Sequence, residues 1–142
     1  MKDAELALAE QVSTVLRHLV LLLRRSAAGQ PVTSQQYAVL GSLEPGPRRM
    51  TELAEEHAVQ LPTMSVQINR LEEAGLVARG ADPADARVRT VELTGEGRER
   101  LLAVRRARIA AIAEELAGLT GDERDTLAAA LPVLAKFGRK NR

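Results

Sequence analysis

Residues 61–94, "LPTMSVQINRLEEAGLVARGADPADARVRTVELT", decide the fold. Pro62 is tolerated in a first helical turn and marks a helix start, and Gly75 supplies the C-cap. Between them, at about 100° per residue, Leu61, Met64, Ile68 and Leu71 fall on one side and are expected to face a core. "LVARG" and "RVRTVEL" are then two short β-prone runs, separated by Asp-Pro and Asp-Ala, which predicts a hairpin.

Upstream, residues 4–27 read as one long helix, with Leu6, Ala9, Val12, Leu16, Leu19 and Leu23 recurring every three or four positions. A break follows at "AAGQP". "TSQQ" is a capping box, with Thr33 accepting from the backbone and Gln36 reaching back. It opens a short helix carrying Tyr37, Leu40 and Leu43, which "EPGPRR" ends. Thr51 is expected to cap a third short helix, "ELAEEHA".

Downstream, Thr94 caps a long helix to about residue 119, with Leu102, Ile109, Ile112, Leu116 and Leu119 on one stripe. "TGDE" is a second capping box, and Leu127, Leu131 and Leu134 mark the last helix. The basic tail "KFGRKNR" is expected to fray. No internal repeat or low-complexity segment interrupts the order: four helices, a hairpin, two helices. The expected class is mainly α with a small β-hairpin wing, a winged helix–turn–helix, an arrangement that binds DNA in most of its uses. Residues 1–30 and 96–142 are expected to dimerise, and residues 31–95 to form the DNA-binding lobe.

Composition narrows the rest. The chain has 142 residues, 45% of them apolar, enough for a buried core. One Tyr, one Phe and no Trp exclude the exposed rings on which single strands stack. With 20 basic against 19 acidic residues the net charge is only +1, so any nucleic-acid binding must come from local clustering. The absence of cysteine excludes a disulfide framework and thiol redox sensing. "MKDAELALAEQ" lacks the pattern of a signal peptide. The uninterrupted apolar run Leu19–Leu23 is too short for a bilayer, so a cytoplasmic protein without membrane contact is expected. His18 and His57 lie on separate helices and belong to no metal-spaced cluster, and no glycine-rich phosphate loop is present. No catalytic residue, metal or cofactor is expected.

The outer face of the fourth helix carries Pro62, Thr63, Val66, Asn69, Arg70 and Glu73, with Ser65 at its margin. Small hydroxyls let a helix sink into the major groove and bond either base edge, and a valine methyl can touch a thymine methyl. Arg70 has the reach for phosphate or guanine. The plainer alternative is that Thr63 and Ser65 serve the helix N-terminus and Val66 is an ordinary surface apolar residue. Gln67, on the flank, suits either a DNA contact or a bond within the domain.

In the hairpin, residues two apart share a face, which aligns Arg87, Arg89, Val91 and Leu93. The last two pack on the body, so the row carries two guanidiniums beyond it. Asp85, two before Arg87, can orient it, and Asp82 before Pro83 favours the turn. A preoriented arginine on a projecting tip suits a narrow minor groove. A local surface ion pair is the alternative.

These segments together resemble the MarR (multiple antibiotic resistance regulator) family of bacterial transcription factors over roughly residues 5–140. "VTSQQYAVLGSL" is similar to its second helix, "LPTMSVQINRLEEAGLVAR" to its recognition helix and first wing strand, and "DPADARVRTVELT" to its wing signature, here Asp85, Arg87, Leu93 and Thr94. The resemblance implies a homodimeric repressor on a pseudopalindromic double-stranded DNA site, built by the first and last two helices and released by a small anionic or aromatic effector. It implies that Arg87 enters the minor groove with Asp85 as its partner, and that Thr63, Ser65, Val66 and Asn69 face bases. Val66 stands where many relatives carry a basic or polar residue, and Gln67 where an apolar one is common. Tyr37 holds an aromatic position often near the effector pocket, and we favour a core role for it. The alternative function is a winged helix used only for protein contacts.

Overall fold

The computed structural model describes residues 2–29 and 32–139. Of the expected break, Gln30 and Pro31 lie outside the described residues, as do Lys140 to Arg142 of the tail. The order is α1 (Lys2–Ser26), α2 (Ser34–Ser42), β1 (Arg48–Arg49), α3 (Met50–Glu56), α4 (Leu61–Glu73), β2 (Val77–Asp82), β3 (Asp85–Leu93), α5 (Gly95–Ala117) and α6 (Gly121–Leu134). Two compact units divide within α5, after Arg108.

In the first unit, the Thr33–Gln36 capping box forms as expected and opens α2, whose Val39 and Leu40 are buried. Thr51 does not cap α3. The helix starts two residues earlier than expected, at Met50, behind an extended Arg49 that makes no side-chain cap. The physical reason is β1, formed by the two arginines of the helix-ending "EPGPRR". Arg48 and Arg49 pair with Val91 and Thr90, so strand pairing holds the chain at the helix entrance. The sheet is antiparallel, in the order β1-β3-β2.

Two turns aim the parts. After α3 the backbone reverses through Ala58 at φ 53°. The Val59 N–H reaches back to the Ala54 carbonyl. After α4, Gly75 at φ 76° makes the same reversal, with Gly75 N–H on Glu72 O and Leu76 N–H on Leu71 O. This is the Schellman pattern, and glycine is favoured there because it lacks the Cβ that clashes in left-handed backbone. β2 starts two residues later and pairs with β3 from Val77↔Leu93 to Ala81↔Arg89, with an irregularity before Asp82.

Thr94 ties this turn to the next helix. Its hydroxyl donates to the Gly75 carbonyl at 2.6 Å and accepts from the Gly97 N–H at 3.0 Å, while its own N–H bonds Leu76 O. Gly97 is buried there, and a Cβ on it would overlap the Leu76 carbonyl. The core gathers Leu40 and Leu43, Leu53 of α3, Met64, Ile68 and Leu71 of α4, Val91 of β3, and Leu101 and Val104 of α5. Each such side chain contributes about 1.5–3 kcal/mol by leaving water.

Leu101 and Val104 lie off the stripe expected on α5; Leu102, Ile109 and Ile112 of that stripe are exposed. On α1 no residue is buried, and Leu6, Leu16 and Leu19 stand open. As one helix α1 is long and apolar enough to cross a membrane, since residues 6–23 carry only Glu10 and Arg17 as charges. The short uninterrupted run Leu19–Leu23 understated this.

In the second unit, the Thr120–Glu123 capping box opens α6 as expected. Arg124 Nη1 donates to the Leu116 and Leu119 carbonyls, satisfying acceptors that the end of α5 leaves unpaired. α6 buries nothing, and Leu127, Leu131 and Leu134 are exposed.

Candidate nucleic-acid interface

The core face of α4 is made by Met64, Ile68 and Leu71, as expected. Leu61 is the exception: it is 44% exposed, because the first turn overhangs the lobe and faces a groove instead of the core. Pro62, Thr63, Val66, Asn69, Arg70 and Glu73 are exposed and Ser65 is half-buried. Val66 stands 47% exposed, outside the core cluster.

The hairpin stands beside this helix. Between them runs an open groove of about 670 Å³ lined by Leu61 and Ser65 of α4, by Arg49 to Thr51, and by Arg79, Arg87, Val88 and Arg89. Four arginines thus converge on one side of a chain whose net charge is only +1.

Each arginine is held differently. Arg87 Nε donates to Asp85 Oδ1 at 3.2 Å, and the same oxygen takes the Arg87 backbone N–H at 3.0 Å. The expected orienting pair therefore forms. With the Arg87 side chain 92% exposed, it has little value for stability and leaves the guanidinium open to a partner. Arg89 is exposed on the same row, which continues inward to buried Val91 and half-buried Leu93.

Arg49 anchors the tip. Its Nε and Nη2 reach Asp82 Oδ2 at 3.0 and 2.9 Å, while Asp82 Oδ1 takes the Ala84 N–H at 2.8 Å. Asp82 thereby makes the expected turn and also carries a strut that the sequence did not reveal. The Ala84 N–H first, and Arg49 after it, hold the Asp82 carboxyl below the usual carboxylate range. A depressed carboxylate contributes its stability above its unfolded pKa and loses it as pH falls through the lower folded value. The strut therefore persists through neutral pH and weakens only as pH falls below the usual carboxylate range.

Arg79 of β2 donates from Nη2 to Asn69 Oδ1 of α4 at 2.6 Å. The register explains the meeting: Arg79 lies opposite Val91, and directly opposed residues in an antiparallel pair share a face, here the face turned to the lobe. Arg49 and Arg79 escaped the sequence reading because both contacts join segments distant in the chain.

Behind α4, Gln67 bonds within the domain, its Nε2 donating to Gln35 Oε1 at 3.2 Å. His57 Nε2 lies 2.9 Å from Ser42 Oγ, joining α2 to the end of α3. Tyr37 packs against the core, as favoured, with the Arg108 guanidinium 4.1 Å from its ring centre. No cluster of metal-ligating side chains occurs among the described residues.

Helices α2 to α4 with the three-strand sheet define a winged helix–turn–helix. The sequence pattern of the MarR family matches residues 30–88. An uncharacterised HTH-type transcriptional regulator of Mycobacterium bovis is 33% identical over 140 residues, covering 94% of each chain. The HTH-type transcriptional repressor MdtR of Bacillus subtilis is 32% identical over 124 residues, 87% of this chain and 77% of that one. The crystal structure of apo MarR from Escherichia coli superposes with a TM-score of 0.78 at 26% identity, covering 89% of this chain and 96% of that one. The protein belongs to the MarR family of transcriptional regulators.

Proposed function

We propose that two copies of this chain bind one pseudopalindromic double-stranded DNA site and repress transcription there. Each copy would lay α4 in a major groove and set the wing in the adjoining minor groove. The observation that carries the reading is the arginine-lined groove beside an exposed face of small and apolar side chains on α4. Thr63, Ser65, Val66 and Asn69 face bases. Pro62 leads the helix in, and Arg70 takes phosphate or guanine. Arg87, oriented by Asp85, enters the minor groove, with Arg89 beside it at the backbone. Repression is favoured by the relative named a repressor.

Pairing is favoured by the open apolar residues of α1 and α6. Residues 1–30 and 96–142 would join the two copies through these surfaces, and residues 31–95 would carry the DNA-binding face. A second copy covers α1 better than a bilayer does, since Glu10 and Arg17 lie on the face opposite the apolar stripe, which a bilayer would also have to bury. We place the protein in the bacterial cytoplasm, acting without a cofactor and released from DNA by a small anionic or aromatic effector.

Selection of genomic fragments with the purified protein, followed by salt titration, tests the reading. It requires an enriched site whose affinity falls steeply with salt as condensed counterions are released, and a dimer in sedimentation without detergent. Enrichment of no sequence favours a protein-contact module and contradicts the proposal.

A further inference from the structure

The contact between Arg79 and Asn69 bears on which base the recognition helix prefers, given that it reads DNA as proposed. An asparagine amide free to turn can pair with adenine, accepting from N6 while donating to N7. Asn69 is not free. Arginine has only donors, so the atom 2.6 Å from Arg79 Nη2 is necessarily the amide oxygen. A bond to a guanidinium is charge-assisted and among the stronger kinds, which fixes the amide about its last torsion. Its nitrogen makes no hydrogen bond among the described residues, and Asn69 is exposed.

Arg79 is suited to this task. It is exposed, and its bond partner is a neutral amide, unlike Arg49 and Arg87, which face carboxylates. It projects from β2 toward α4 by the register of the sheet.

We infer that Arg79 is a specificity-determining residue: by holding the Asn69 oxygen it turns the NH2 group to DNA and sets a cation beside the oxygen's remaining lone pair, and so turns this position toward guanine and away from adenine. Guanine offers two adjacent acceptors in the major groove, N7 and O6, and the two amide hydrogens can serve both. Adenine offers one acceptor and one donor, and the donor would have to reach the oxygen's second lone pair beside the guanidinium that holds the first.

The test is selection from a randomised duplex library with the full chain and its Arg79→Met, Asn69→Ala and doubly substituted forms, each checked for fold by circular dichroism. The wild type is expected to prefer guanine over adenine by about fivefold or more at one symmetry-related pair of positions. Arg79→Met should erase or reverse that preference at those positions alone. Asn69→Ala should abolish it, and adding Arg79→Met should then change nothing there. A uniform loss of affinity in Arg79→Met, with the base preferences intact, would make Arg79 a phosphate contact and overturn the inference alone. A wild type that enriches no sequence overturns the DNA reading and this inference together.

Discussion

Replacing Thr94 by valine removes one hydroxyl while keeping the branched shape, and it isolates the junction that sets the wing against α5. The hydroxyl donates to Gly75 O at 2.6 Å and accepts from Gly97 N at 3.0 Å, both half-buried. A typical intramolecular hydrogen bond contributes about 0.5–1.5 kcal/mol net, and loss of a threonine helix cap costs about 0.5–2 kcal/mol. The Gly97 bond is the cap itself, so the two figures overlap in part, and the combined loss is about 2 kcal/mol. Thr94→Ser keeps both bonds and should cost well under half as much. Urea unfolding by circular dichroism, at one fixed protomer concentration because the proposed pairing would couple to stability, should show a lower midpoint with an unchanged slope. A valine variant within about 0.5 kcal/mol of wild type would refute the reasoning, since the bonds would then be replaced by water at no cost.

Arg87→Ala should leave the melting temperature unchanged, because its ion pair is almost fully exposed, yet reduce the salt dependence of DNA binding by about one unit per protomer across all sites. Unchanged affinity would remove the wing from the interface. Val66→Ala should alter preference at a thymine position by about 1–3 kcal/mol at most, read by competition with base-substituted sites; equal loss at every base would exclude a base contact. Ala58→Gly should raise stability by about 1 kcal/mol in thermal melts, since a non-glycine residue at φ 53° sits in the disfavoured left-handed region. A lower melting temperature would mean that the turn is not strained.

What the sequence revealed was local. Both capping boxes, the Gly75 terminus, the hairpin and the Asp85–Arg87 pair depend on residues within a few positions of one another, where side-chain chemistry acts directly on the backbone. What it hid depends on distant pairing. β1 is two arginines that become a strand only because Val91 and Thr90 lie opposite, and Thr51 loses its expected capping place for the same reason. On α5 the periodic stripe through Leu102 and Ile109 outweighed the shorter face of Gly97, Leu101 and Val104 that enters the core. Leu61 fits the α4 pattern but lines the groove beside the hairpin instead of the core. The Arg49–Asp82 strut and the Arg79–Asn69 bond join residues 33 and 10 positions apart, beyond the reach of any periodicity.

Footprinting on an enriched duplex examines the docking geometry most directly, using one reagent for guanine N7 in the major groove and hydroxyl radicals for the minor groove and backbone. The account predicts two major-groove protections related by a dyad and spaced by a whole number of helical turns, roughly 10–10.5 base pairs each. Minor-groove protection should flank them and vanish in Arg87→Ala. A single unsymmetrical patch, or flanking protection that survives that substitution, would contradict it.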